Sequence, residues 1–167
     1  MIAYCPTCGT RTTTRQVAKQ TLSECLACDR IFFRNPKVVV TALIEKDGRV
    51  LLGLRDIEPG RGLWGMPGGF VDWDEHPEDA MVRECREEIG VRVEPMELLS
   101  VQHVQHEDDG IVILHYRARL QGGEPVAADE VQQVGWFDPD RLPPLAFSTH
   151  RQILLRWSQE VLARGAA

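Results

Sequence analysis

Two groups of residues in this chain have the types and spacing for chemistry. Glu84, Glu87 and Glu88 stand at i, i+3 and i+4, which on a helix places three carboxylates on one face. Like charges so arranged repel, and a face that keeps them needs a counter-charge. The neighbouring Arg83 and Arg86 supply one if the face is merely solvated. Hard divalent cations that prefer oxygen ligands, Mg²⁺ or Mn²⁺, supply another. Such a cation beside an anionic substrate neutralises charge and lowers the pKa of bound water, and a nearby carboxylate can take the proton. The second group is Cys5, Cys8, Cys25 and Cys28, two C-x₂-C pairs sixteen residues apart. This is the spacing of a structural Zn²⁺ site, in which each tight turn presents two thiolates and four sulfurs leave no open position for catalysis. Two disulfides are the alternative, and the absence of a secretory start at the N-terminus argues against them.

From Gly69 the chain reads Gly, five residues, Glu75, seven residues, Arg83-Glu84, Cys85, one residue, Glu87-Glu88, one residue, Gly90-Val91. This stretch resembles the signature of the Nudix hydrolases, with every charged and glycine position filled. The resemblance implies hydrolysis of a nucleoside diphosphate linked to another group. It implies Glu84, Glu87, Glu88 and the Gly68 carbonyl as Mg²⁺ or Mn²⁺ ligands, and Glu84 or a neighbour such as Glu87 as the base. Arg83 would hold a carboxylate in orientation, and Glu75 would support the site from the loop end. Glu130 is the further acidic group that such enzymes often bring from the second half of the chain. Cys85 stands where the family prefers an aliphatic residue; a free cysteine packs as a small hydrophobe, so it is expected buried and inert.

The cysteine-rich head joined to this box resembles a zinc-ribbon group of Nudix proteins, as do the segments FRNPKVVV, ending at Val40, and Ala146 to Arg151. That group includes enzymes for ADP-ribose, FAD and NADH. Its NADH enzymes carry a Ser-Gln-Pro-Trp-Pro-Phe-Pro motif where this chain reads SVQHVQH, and no proline falls between Pro95 and Pro125. The expected substrate is an ADP-containing compound such as ADP-ribose or FAD.

The elements that must position these residues can be read from periodicity. Lys37 to Glu45 is a β-branched run expected to form a central strand. Lys46-Asp47-Gly48 is a hairpin turn, and Arg49 to Arg55 returns. Gly68-Gly69 lets backbone approach a ligand closely. The box helix is expected to start at Pro77 with His76 as cap, to bury Met81, Cys85 and Ile89, and to end at Gly90. Arg92 to Gln105 and Ile111 to Leu120 form two strands around the turn Glu107-Asp108-Asp109-Gly110, whose acidic side chains could reach a metal or simply face solvent. Val131 to Phe137 is another strand. Phe147 to Ala163 is a closing helix, capped by Ser148 or Thr149, with Ile153, Leu154, Trp157, Val161 and Leu162 on its apolar face. The expected architecture is α/β: a Nudix α/β/α sandwich with a mixed sheet over 36–167, preceded by a zinc ribbon over 1–35. Trp64, Trp73 and Tyr116 are aromatic faces that could stack on a base, with packing as the default. His103, His106 and His115 are not taken as a second metal set.

The 167 residues carry a net charge of −6, unevenly spread. Residues 1–40 hold six basic and two acidic side chains, so the remainder carries −10. An acidic body of this kind argues against broad nucleic-acid binding. A nucleotide derivative is the expected partner, no membrane partner is expected, and a homodimer through the ribbon is compatible with the rest. With 43% hydrophobic residues, no membrane-length apolar run and no lipid anchor, the default location is cytoplasmic. The alternative to an enzyme is a module that senses a nucleotide, with the basic ribbon contacting nucleic acid or protein.

Overall fold

The computed structural model describes residues 1–106 and 109–165, without side-chain detail at 106 and 109. The acidic turn at 107–109 therefore lies outside the described side chains. The chain divides into two compact units, one spanning Met1–Pro36 and the other beginning at Lys37. No helix among the described residues is long and apolar enough to cross a membrane.

The first unit is a three-stranded antiparallel sheet in the order β1 (Thr13–Val17), β2 (Gln20–Cys25), β3 (Arg30–Phe32). Its buried side chains are Cys5, Leu22, Ser23 and Cys25. So small an apolar set is far short of what a 36-residue unit needs to stand by itself. The two cysteine turns are built alike. Gly9 follows the first pair with φ 72° and its N–H reaches the Cys5 carbonyl at 2.9 Å. Asp29 follows the second pair and takes the same left-handed conformation at φ 52°, which a short polar side chain tolerates better than most.

The second unit is a mixed six-stranded sheet between two helices. Its elements are β4 (Lys37–Lys46), β5 (Arg49–Arg55), β6 (Trp64–Gly65), α1 (Pro77–Ile89), β7 (Arg92–His106), β8 (Asp109–Gly122), β9 (Val131–Phe137) and α2 (Ser148–Gly165). Along the sheet the order is β6-β5-β4-β8-β7, with β9 on β5. Strands β4 and β8 run parallel, in register from Lys37 opposite Ile111 to Ile44 opposite Ala118. Asp47 and Gly48 both take positive φ, the twist that a two-residue hairpin requires. The other edge of β4 is covered by irregular chain: Val40 and Ala42 donate to the Gly69 and Pro67 carbonyls, and Val71 donates back to Val38, all at 2.9 Å.

Alternation along the strands sorts the core into two layers. Val40, Ala42, Ile44 and Leu51 pack with Met81, Cys85 and Ile89 of α1. Leu43, Val50 and Leu52 pack with Ile153, Leu154 and Trp157 of α2. Trp157 Nε1 also donates to Glu45 Oε2 at 2.8 Å, which ties α2 to the end of β4. Helix α2 begins at Ser148, and the Phe147 carbonyl accepts the first helical bond, from Arg151 N. The cap position is thus Phe147 rather than Ser148 or Thr149.

Candidate functional site

Helix α1 is fixed at both ends by its own sequence. Pro77 occupies the first turn and His76 accepts from Glu78 N. Gly90 closes the helix at φ 70°, donating to Arg86 and Cys85 carbonyls. Met81, Cys85 and Ile89 are fully buried, which turns Arg83 and Glu87 toward the opposite side and leaves Glu84 half-buried on the flank. Burial pushes the Cys85 thiol well above its ordinary range, so it is packing material rather than a nucleophile.

Arg83 is the hub of the exposed face. Its Nε and Nη2 clamp both oxygens of Glu75 at 2.9 Å. Its Nη1 reaches Glu84 at 2.7 Å and Glu87 at 3.1 Å, and Nη2 also donates to the Phe70 carbonyl at 3.1 Å. The bidentate pair holds the Glu75 carboxyl below the usual range. Glu84 behaves in the opposite way. Burial raises it despite Arg83, and the charges of Glu87 and Glu130 raise it further.

Glu88 lies one turn beyond Glu84, closer to the buried stripe. It is 5% exposed, and its Oε2 accepts the Gly68 N–H at 2.8 Å. Burial pushes its pKa up to about 7, with the Gly68 bond and the charge of Arg55 working against that rise. Gly68 sits where only glycine fits. Its φ is 145°, and a Cβ there would lie 2.1 Å from the Val40 carbonyl oxygen. Gly69 has a different restriction: a Cβ would meet the Glu84 carboxylate at 2.6 Å. Glu130 is exposed on the turn before β9, where Asp56 N donates to its carbonyl at 2.8 Å, and its charge also reaches Glu88.

The structure thus brings Gly68, Glu75, Arg83, Glu84, Glu87, Glu88 and Glu130 to one region. It does not draw the three helix carboxylates together: Glu84 and Glu87 share Arg83, while Glu88 is held by backbone. A buried and a half-buried carboxylate, both with raised pKa, beside further acidic groups are an arrangement that a divalent cation relieves, and the donors are the hard oxygens such a cation takes. An open depression along α1 touches Arg83 and Glu87 but not Glu84, Glu88 or Gly68, so it is not the centre of this cluster.

Cys5, Cys8, Cys25 and Cys28 have their sulfurs all within 4.8 Å of one another; among the described residues they are the one such group of three or more metal-ligating side chains. Cys8 and Cys25 sulfurs are 3.6 Å apart, against about 3.8 Å for the edge of a tetrahedron with Zn–S bonds of about 2.3 Å. The four thiols compete for protons. The Thr10 hydroxyl helps bring Cys8 down to about 6, while Cys28, hydrogen-bonded to Cys8, rises to about 12. Four thiolates at this spacing need a cation among them.

Of the aromatic candidates, Tyr116 is buried in the layer under α1 and Trp64 packs edge-on to Phe137 at 4.7 Å. Trp73, next to the glycine loop, is 95% exposed. His115 is buried against Thr41. Sequence reasoning passed over His150, which is buried and accepts the Met66 N–H. The signal was present: His150 precedes Ile153, Leu154 and Trp157 at i+3, i+4 and i+7, which extends the apolar stripe to a titratable residue.

Residues 34–157 match the profile of the NUDIX domain. The chain is 35% identical over 130 residues to the ADP-ribose pyrophosphatase of Methanocaldococcus jannaschii, covering 75% of this chain and 76% of that protein. It is 30% identical over 143 residues to the NAD-capped RNA hydrolase NudC of Pseudomonas aeruginosa, covering 85% of this chain but only half of that longer protein. The NUDIX hydrolase from Nitrosomonas europaea has a similar structure, with a TM-score of 0.86 and 30% identity over 95% of this chain and 92% of that one.

Two outcomes follow from the geometry. Gly68→Ala drives a methyl into backbone and is expected to cost about 3 kcal/mol or more. Gly69→Ala meets only the end of a flexible side chain and is expected to cost less than about 1 kcal/mol; urea unfolding of both variants checks the contrast. Glu88 gives the second. Its folded pKa of about 7 lies above the ordinary glutamate value of 4.5, so the stability it contributes is present below about pH 4.5 and lost as pH rises through 7, by about 3 kcal/mol in all. In metal-free buffer Glu88→Gln is expected to gain on wild type by that order between pH 5 and pH 8, as read by denaturant midpoints at each pH.

Proposed function

We propose a function for a chain that belongs to the NUDIX family: it hydrolyses the pyrophosphate bond of a nucleoside diphosphate linked to another group, with ADP-containing compounds such as ADP-ribose or FAD as substrates. The observation that carries this reading is the meeting of two box carboxylates at one glycine loop, with Glu88 accepting the Gly68 N–H and Glu84 against Gly69. Similarity to the Methanocaldococcus jannaschii pyrophosphatase supports the ADP-ribose class.

Glu84, Glu87, Glu88 and the Gly68 carbonyl would hold Mg²⁺ or Mn²⁺, which when bound offsets pyrophosphate charge and makes water a better nucleophile. The chain's own contribution is placement. Arg83, anchored by Glu75, keeps Glu84 and Glu87 from swinging into solvent. Glu84 is the base. Its burial raises its proton affinity, which suits a carboxylate that must accept a proton near neutral pH. Glu130 adds negative charge from the turn before β9. In the first unit, Cys5, Cys8, Cys25 and Cys28 would hold a structural Zn²⁺ that takes the place of a core.

The test of the reaction is phosphate-product release from ADP-ribose, FAD, NADH, dinucleoside polyphosphates, nucleoside triphosphates and nucleotide sugars, with Mg²⁺ or Mn²⁺. One class should be cleaved, and Glu84→Gln should lower kcat by about 10²- to 10⁴-fold. No cleavage by folded, zinc-loaded protein would turn the reading toward a nucleotide-sensing module. The zinc assignment predicts one Zn²⁺ per chain by elemental analysis, with Cys8→Ser losing the metal and exposing residues 1–36 to limited proteolysis. A metal content near zero in freshly purified chain would refute it.

A further inference from the structure

Two buried histidines have no part in the chemistry above. His150 lies in the first turn of α2 at 5% exposure, and His115 lies on β8 at 1%. Burying an imidazole is costly unless its nitrogens find partners. His150 Nδ1 accepts the Met66 N–H at 3.1 Å, and His115 Nδ1 lies 2.7 Å from Thr41 Oγ1. The two rings meet edge to face with centroids 5.9 Å apart, and Phe147 packs on His150 at 5.0 Å. Burial lowers the pKa of His115 to about 4 and that of His150 to about 3, the latter helped by the charges of His115 and Arg55. Both rings are neutral at neutral pH. Since Nδ1 of His150 accepts a bond, its proton sits on Nε2.

His150 holds the chain just ahead of the glycine loop, and His115 holds β4 beside it. Met66 stands two residues before Gly68. Gly65 is closely approached as well: a Cβ there would come 3.2 Å from His150 Nδ1, so the ring would have to give way. Thr41, bonded to His115, is the residue whose Cα a Cβ on Gly68 would strike at 2.7 Å. From Pro67 to Val71 the loop is bonded to the edge of β4. Ahead of that edge, the Met66 N–H is the backbone donor that fixes the loop's entry, and its acceptor is a side chain from α2. The other stripe residues of α2, Ile153, Leu154 and Trp157, are apolar. An apolar residue at 150 would pack as well, but would leave the buried Met66 N–H without a partner, at a cost typical of an orphaned donor.

We propose that His150 is a positioning residue for the carboxylate site: through the Met66 N–H it sets the orientation of the Pro67–Gly69 backbone, whose Gly68 N–H holds Glu88 and whose Gly69 borders Glu84. The inference rests on the divalent-cation reading given above. It assigns to the segment Ala146 to Arg151, otherwise outside the box chemistry, the task of aligning the loop.

The test exploits two amides that place an acceptor differently. The amide oxygen of asparagine falls near Nδ1 of the histidine it replaces, and that of glutamine near Nε2. Mn²⁺ binding to the whole chain is titrated calorimetrically for wild type, His150→Asn, His150→Gln and Glu88→Gln, with Tm recorded for each. His150→Asn is expected to bind within about threefold of wild type and His150→Gln to bind about tenfold more weakly, at closely similar Tm. In the hydrolysis assay, the glutamine variant should raise the Mn²⁺ concentration for half-maximal rate by about tenfold while kcat at saturating Mn²⁺ stays within about threefold. Equal Mn²⁺ affinity in the two amide variants, or losses that follow Tm instead of acceptor position, would overturn the inference while leaving the carboxylate reading intact. Absent Mn²⁺ binding in wild type, or binding that Glu88→Gln does not weaken, would overturn the carboxylate reading and this role together.

Discussion

The arrangement depends on one close approach. Gly68 lies so near β4 that no side chain could stand between its Cα and the Val40 carbonyl. That contact lets the loop run along the strand edge with regular hydrogen bonds while remaining irregular in conformation. It also aims the Gly68 N–H at Glu88, so a carboxylate buried beneath the loop keeps one strong partner. Without the contact, Glu88 would be a buried charge with no backbone donor, and a neutral residue would be favoured there.

Charge is distributed around this contact with a clear division of labour. Arg83 spends its whole fork on Glu75, Glu84, Glu87 and the Phe70 carbonyl. These groups are partly exposed, so their mutual attraction is worth little as stability, and its value is geometric. Arg55 approaches from the other side, its guanidinium 5.0 Å from the Phe147 ring centre and its charge reaching Glu88 and His150. The acidic cluster therefore keeps more negative charge than its arginines answer, which is the condition under which a hard cation binds well.

The two units solve the problem of stability differently. The second builds two apolar layers on a shared sheet, and alternation along β4 and β5 feeds both. The first buries almost nothing apolar beyond Leu22, Cys5 and Cys25. Its four sulfurs lie within 4.8 Å of one another, close enough for one ion to cross-link them, which can replace the burial that 36 residues cannot supply.

Short-range physics made most of this legible in the sequence. The stripe Met81, Cys85, Ile89, the His76 cap with Pro77, and the left-handed Gly90 fix α1 by local rules, and the helix forms where they place it. The i, i+3, i+4 spacing of Glu84, Glu87 and Glu88 likewise needs only helical geometry. What the spacing left undecided was their environments. Glu88 is buried and bonded to backbone while Glu87 is half exposed, because the sheet passes under one side of α1 and solvent lies on the other. Residues supplied from distant sequence could not be placed by periodicity at all. Glu130 comes to the cluster on the turn before β9, and His150 reaches Met66 across 84 positions. Such meetings are set by the order of strands in the sheet and by the packing of α2, which only the folded chain decides.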